Sequence, residues 1–117
     1  MYREEILDLY RNPRNTGRLD DALEAEGENA SCGDSTHFYV KIKDGEVADV
    51  KHETEGCAIC TASNSILSDK IIGMDIQKLE KLDKDWMTDK LGAEISPMRI
   101  KCAVLGLKTV QKAIDIE

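Results

Sequence analysis

Apolar positions along this chain change period several times, and each change marks an element. Ile6, Leu7 and Tyr10 stand at i, i+1 and i+4, which predicts a short helix over residues 3–10. Pro13 closes it, and Asn12-Pro13-Arg14-Asn15-Thr16-Gly17 is turn chemistry. Residues 18–31 are acidic and weakly patterned, with a strand near residues 23–25. Over residues 36–43 the period becomes two. Thr36, Phe38, Val40 and Ile42 face one way, and His37, Tyr39, Lys41 and Lys43 the other, as in a half-buried strand. Asp44-Gly45 marks a hairpin, and a second strand over residues 46–54 carries Ala48, Val50 and His52 inward.

The hairpin register follows from the same pattern. A two-residue turn at Asp44-Gly45 would set Val40 opposite Asp49 and put charge on the apolar face. A three-residue loop, Asp44-Gly45-Glu46, pairs Ile42 with Ala48, Val40 with Val50 and Phe38 with His52. One residue of slip inverts a strand's faces, so the pattern selects the three-residue loop with a bulge.

Beyond Gly56 the period turns helical. Residues 58–72 read as a helix with Ile59, Ala62, Ile66 and Leu67 inward, closed by Gly73. Residues 75–82 form a short amphipathic helix whose stripe Trp86 extends, and Leu91-Gly92 is a break. Pro97 precedes a short extended piece. From Cys102 onward Ala103, Leu107, Val110 and Ile114 define an amphipathic C-terminal helix. A helix, then strands, then helices make the fold class α+β, with a small antiparallel sheet against several helices.

Length and composition narrow the class. At 117 residues the chain is read as one domain, 1–117, with a single core. Its longest apolar runs are too short for a membrane span. The charged start, Met1-Tyr2-Arg3-Glu4-Glu5, lacks the apolar core of an export signal, so the expected compartment is the reducing cytoplasm. A net charge of −7, five aromatic residues and no basic cluster argue against a nucleic-acid partner.

In a reducing compartment four cysteines point to metal or redox chemistry rather than to disulfides. Cys32, Cys57 and Cys102 lie in three separate segments, each beside a glycine or at the start of a helical pattern. Cys57 and Cys102 each sit just before a predicted helix, where free N–H groups and the helix dipole favour thiolate. Cys32 and Asp34 flank Gly33; an extended Cys-Gly-Asp turn puts both side chains on one side. Three thiolates and a carboxylate make a four-coordinate shell for zinc or for one end of an iron–sulfur cluster.

Cys60, three residues after Cys57, completes a local C-x-x-C. Read alone, that motif is a redox pair, half a zinc ribbon, or a small residue packed in a first helical turn. No second C-x-x-C is present, and no Gly or Pro lies inside this one, so Cys60 is read as a non-ligand. His37 falls on the polar face of its strand and His52 on the apolar face, and neither is read as a ligand.

Tyr10-Arg11-Asn12-Pro13-Arg14-Asn15-Thr16-Gly17, Cys32-Gly33-Asp34, Gly56-Cys57 and Arg99-Ile100-Lys101-Cys102 together resemble the U-type iron–sulfur cluster scaffolds, the family of IscU, SufU and the N-terminal domain of NifU. The resemblance implies a small α+β sandwich with a cysteine-lined site at one end. It implies a non-enzymatic scaffold that takes sulfur from a PLP-dependent cysteine desulfurase, binds iron, builds a [2Fe-2S] cluster and passes it to apo-proteins. By position, Cys32, Asp34, Cys57 and Cys102 are then the metal and cluster ligands, with Cys102 the candidate persulfide acceptor. The cluster would lie within one chain or be shared across a homodimer.

Two features place the chain between branches. IscU-type members carry histidine before the third cysteine; here that residue is Lys101, as in SufU-type members, which makes Asp34 the stronger fourth ligand. SufU-type members carry a long insertion before that cysteine, whereas only 44 residues separate Cys57 from Cys102 here. The alternative function is therefore a zinc-dependent sulfurtransferase that relays persulfide sulfur. IscU-type members also present a Leu-Pro-Pro-Val-Lys segment to an Hsp70 chaperone. The corresponding Ile95-Ser96-Pro97-Met98-Arg99 keeps one proline.

Overall fold

The computed structural model describes residues 2–30, 33–92 and 95–115, and the side chains of Tyr2 and Arg3 lie outside that description. Helix α1 (Tyr2–Arg11) leads into a three-stranded antiparallel meander of β1 (Leu23–Asn29), β2 (Asp34–Lys43) and β3 (Glu46–Glu55). Four helices follow: α2 (Ala58–Ile71), α3 (Ile76–Glu80), α4 (Lys84–Leu91) and α5 (Ile100–Asp115). The fold is α+β, as expected from the order of elements. Among the described residues, no helix is long and apolar enough to cross a membrane.

One face of the sheet carries the core. Ala25, Phe38 and the cross-strand pair Val40–Val50 are buried there, against Leu67 and Ile71 of α2 and Ala103, Leu107 and Val110 of α5. The opposite face is polar. His37 stacks on Tyr39 there and bonds to Glu24 and Glu26. Helix α1 covers the far side of α2, with Ile6 and Leu9 buried and Leu7 and Tyr10 exposed. The inward stripe of α1 is thus i, i+3 rather than i, i+1, i+4.

The hairpin reaches its expected strand register by a different route. Phe38 pairs with His52 and Val40 with Val50, but Ile42 pairs with Val47 and Lys43 with Glu46. The turn is therefore the two-residue Asp44-Gly45, with φ of 55° and 77°. Left-handed values at both positions match the twist of the strands. The extra residue falls at Ala48, where the ladder slips past Lys41. A bulge inside β3 thus buries both Val47 and Val50 and leaves Ala48 exposed.

Two helical expectations also change. The stretch after Gly73 forms two helices, α3 capped by Asp75 and α4 capped by Asp83, whose side chain accepts from the Trp86 N–H. Gly92 ends α4 in a left-handed conformation, the break expected at that point. Pro97 lies in a turn rather than an extended piece, with the Arg99 N–H bonded to the Ser96 carbonyl at 2.8 Å.

The Asn-Pro-Arg-Asn turn has a structural task. Asn15 adopts φ 58° and its side-chain amide bonds to Ser68 Oγ and Asp69 of α2, each at 2.8 Å. Arg14 adds an ion pair to Asp69 at 2.6 Å. The Asn15 carbonyl accepts from His52 N–H at 2.9 Å, so this turn ties α2 to the edge of β3.

Candidate metal centre

Asp34 opens β2, Cys57 caps α2, and Cys102 lies in the first turn of α5. Their ligand atoms all fall within 4.8 Å of one another. That spacing is on the scale set by bonds of about 2.0–2.3 Å to one shared ion. Cys32 lies outside the described residues, so its place relative to these three is an inference from sequence alone.

Local chemistry explains each position. Cys57 has extended backbone at φ −70° and ψ 167°, and its Sγ accepts from the Cys60 N–H at 3.4 Å. Its carbonyl already accepts from Thr61, so the thiol stands where a capping oxygen would otherwise be. Cys102 lies inside α5 rather than just before it, because the helix begins at Ile100. Its N–H and that of Ala103 both donate to the Arg99 carbonyl, at 3.0 and 3.1 Å, so the turn before the helix is already closed by backbone bonds. The starts of two helices therefore converge on the thiol pair.

Asp34 is 2% exposed. Its Oδ1 accepts from the Cys57 backbone N–H at 2.9 Å. Its Oδ2 is buried without a hydrogen-bond partner among the described residues. A buried carboxylate oxygen with no donor is costly unless a cation meets it, so the donor set fits a metal ion on its own terms. Gly56 permits this arrangement: a Cβ there would come within 2.5 Å of Asp34 Oδ1 and 3.2 Å of Asp34 Cα. Gly33 has φ 71°, so the Cys-Gly-Asp segment is not the extended turn expected from sequence.

Cys60 does not join the cluster. It is fully buried, packs with Cys102 and Leu105, and accepts from the Asn64 side-chain amide at 3.9 Å. His52 is equally buried and is no ligand of this cluster. Its Nε2 donates to the Arg14 carbonyl and its Nδ1 meets Thr54 Oγ1, each at 2.8 Å. Burial lowers its pKa more than the bond to Arg14 raises it. Lys101 is exposed on the first turn of α5.

A polar layer behind the site escaped the sequence reading. Asn64 donates to Thr36 Oγ1 at 3.2 Å and Thr54 Oγ1 at 2.9 Å, and Thr54 carries the chain on to His52. Asn29 also escaped notice; it pairs directly with Asp34 across β1 and β2. The only sequence signal was the run of small polar residues in α2, Thr61 to Ser65, which breaks a clean apolar stripe.

A three-stranded meander backed by helices, with two thiols and a carboxylate gathered at the starts of two helices, defines an α+β fold with a candidate metal site of thiol–carboxylate type. The chain belongs to the NifU-like N-terminal domain family, which it matches over residues 1–116. It is 35% identical to the zinc-dependent sulfurtransferase SufU of Bacillus subtilis, over all of this chain and 91% of that protein. It is 37% identical to the iron–sulfur cluster assembly scaffold protein IscU of Thermotoga maritima, over 97% of this chain and 92% of that one. Both alignments are longer than this chain, at 134 and 131 positions, so both relatives carry segments it lacks. The solved SufU of Fervidobacterium islandicum AW-1 superposes with a TM-score of 0.79. It is 30% identical and matched over 95% of this chain and 94% of its own.

Proposed function

We propose that this chain is one scaffold domain on which a [2Fe-2S] cluster is assembled and then handed to apo-proteins. The observation that carries the reading is the gathering of the ligand atoms of Asp34, Cys57 and Cys102 within 4.8 Å, with Asp34 Oδ2 buried and without a partner among the described residues. Cys32 is the proposed fourth ligand. Iron and sulfur are cargo here, not resident cofactors.

Sulfur would arrive from a PLP-dependent cysteine desulfurase. A site thiolate, assigned to Cys102, attacks the outer sulfur of the desulfurase persulfide. The new S–S bond forms as the old one breaks, and the desulfurase cysteine leaves as thiolate. That exchange is redox-neutral; reducing the carried sulfur to sulfide takes two electrons from an external donor. Burial of Cys102 beside the half-exposed Cys57 supports entry of both cargoes from the Cys57 side.

The second reading is a zinc-dependent sulfurtransferase, favoured by the full-length similarity to the Bacillus protein and by Lys101. One experiment separates the two. Anaerobic incubation with ferrous iron, cysteine and a desulfurase gives a [2Fe-2S] visible spectrum if the chain is a scaffold. Retained zinc, strong stimulation of desulfurase turnover and no cluster spectrum would select the sulfurtransferase instead.

A further inference from the structure

Among the described residues, Asn29 Nδ2 is a buried donor with no hydrogen-bond partner, and Asp34 Oδ2 is a buried acceptor with none. The two residues are direct cross-strand partners in the β1–β2 ladder, so their side chains leave the same face of the sheet as neighbours. A donor and an acceptor side by side would ordinarily satisfy each other. Here each is left open, an arrangement that suits a third species presenting a cation to one and an anion to the other.

The neighbouring helix indicates where Asn29 is directed. Two residues earlier on β1, a Cβ on Gly27 would run into the Thr109 and Leu105 side chains of α5. Earlier still, Lys112 reaches the Glu26 carbonyl. Advancing along β1 therefore moves toward the start of α5. Two residues of strand cover about 6.6 Å and four residues of helix about 6 Å, so Asn29 comes level with the first turn of α5. Cys102 is on that turn.

We propose that the Asn29 side-chain amide donates a hydrogen bond to the anionic sulfur held at this site, while Asp34 Oδ2 meets the metal. Asn29 is thus a positioning residue for cargo sulfur, and the inference rests on the scaffold reading above. A hydrogen bond to a charged acceptor in a buried site slows loss of the group it holds by about tenfold or more. Donors to cluster sulfurs also raise the reduction potential.

The test uses the full chain with Asn29→Ala, the near-isosteric Asn29→Leu, and Asn29→Gln, which keeps the donor. Zinc alone is the sulfur-free probe. Zinc affinity should stay within a few-fold of wild type in all three. After anaerobic loading with ferric iron and sulfide, Asn29→Ala and Asn29→Leu should lose the cluster to a chelator about tenfold faster and show a more negative potential, with Asn29→Gln recovering part of both. Unchanged cluster lifetime and potential would overturn the proposal. Equal losses of zinc and cluster would reduce Asn29 to a structural residue and overturn it too. Should wild type form no cluster, the scaffold reading fails separately. The Asn29 claim is then read from the lifetime of a persulfide delivered by a desulfurase, and no change in Asn29→Ala sinks it.

Discussion

Asp34 Oδ1 accepts a hydrogen bond from the Cys57 backbone N–H at 2.9 Å, so a candidate ligand of one strand fixes the helix cap that carries another. The two oxygens of this carboxylate have different tasks, and two substitutions separate them. Asp34→Asn keeps the acceptor toward Cys57 and replaces the open oxygen with a group that cannot ligate. Zinc affinity, read by competition with a chromophoric chelator, should fall by about tenfold or more while the urea midpoint of the metal-free protein hardly moves. Asp34→Ala should show the same affinity loss and also cost about 1–3 kcal/mol, because it strands a buried N–H. Wild-type zinc affinity in both variants would remove Asp34 from the ligand set.

Gly56→Ala tests whether close backbone approach builds the site. Gly56 has no left-handed φ, so alanine is permitted conformationally and the effect is steric. The new Cβ would lie 3.2 Å from Asp34 Cα as well as against the carboxylate. Strand and cap must part, at about 1–3 kcal/mol. Thermal unfolding should show that loss, and metal affinity should fall with it. A fully stable variant with intact affinity would show that the approach is incidental.

Much of this geometry is legible in the sequence, for identifiable reasons. The alternation of Phe38, Val40 and Val50 determines the strand faces, because only one register buries them together. The turn and the bulge are not separable from pattern alone. A three-residue loop and a two-residue turn with a bulge at Ala48 give the same pairing at Val40 and Phe38. Asp44 tips the balance by accepting a φ of 55°. The thiols of Cys57 and Cys102 stand out because each lies at a helix start. Asn29 does not, since its partnership with Asp34 depends on β1 extending to residue 29 through an acidic stretch without apolar alternation. Helix α2 is similarly opaque: held between α1, the sheet and α5, it buries Ser63, Asn64 and Ser65 as well as its apolar residues.

His52 gives the fold a pH dependence of definite sign. Burial holds its folded pKa below the ordinary imidazole value, and Lys51 lowers it further, against the raising effect of the Arg14 carbonyl. Above about pH 6.5 the residue is neutral in folded and unfolded chains alike. As pH falls below that value the unfolded chain takes up the proton first, so stability declines, by at most about 1.4 kcal/mol per pH unit. Asp69 and Glu53 have lowered folded pKa values, so their stabilisation is lost only toward and below about pH 4. Urea midpoints between pH 7.5 and 5.5 should therefore decline in wild type. His52→Gln, which keeps a donor toward Arg14, should be less stable at pH 7.5 but flat across the range. A wild-type profile as flat as the variant's would contradict the assignment.

Cys60 and Cys102 are both fully buried and packed against each other, yet only Cys102 belongs to the ligand cluster. The distinction predicts opposite outcomes for similar substitutions. Cys60→Ala removes a sulfur that packs in the first turn of α2 and receives the Asn64 amide. It should cost about 1 kcal/mol of stability and leave zinc affinity within a few-fold of wild type. Cys102→Ala should lower zinc affinity by about tenfold or more and abolish uptake of sulfur from a desulfurase. Mass spectrometry of the desulfurase-treated chain reads the uptake directly, as a single added sulfur in wild type and in Cys60→Ala. Sulfur retained on Cys102→Ala but lost from Cys60→Ala would reverse the roles of the two residues and make the C-x-x-C the working pair.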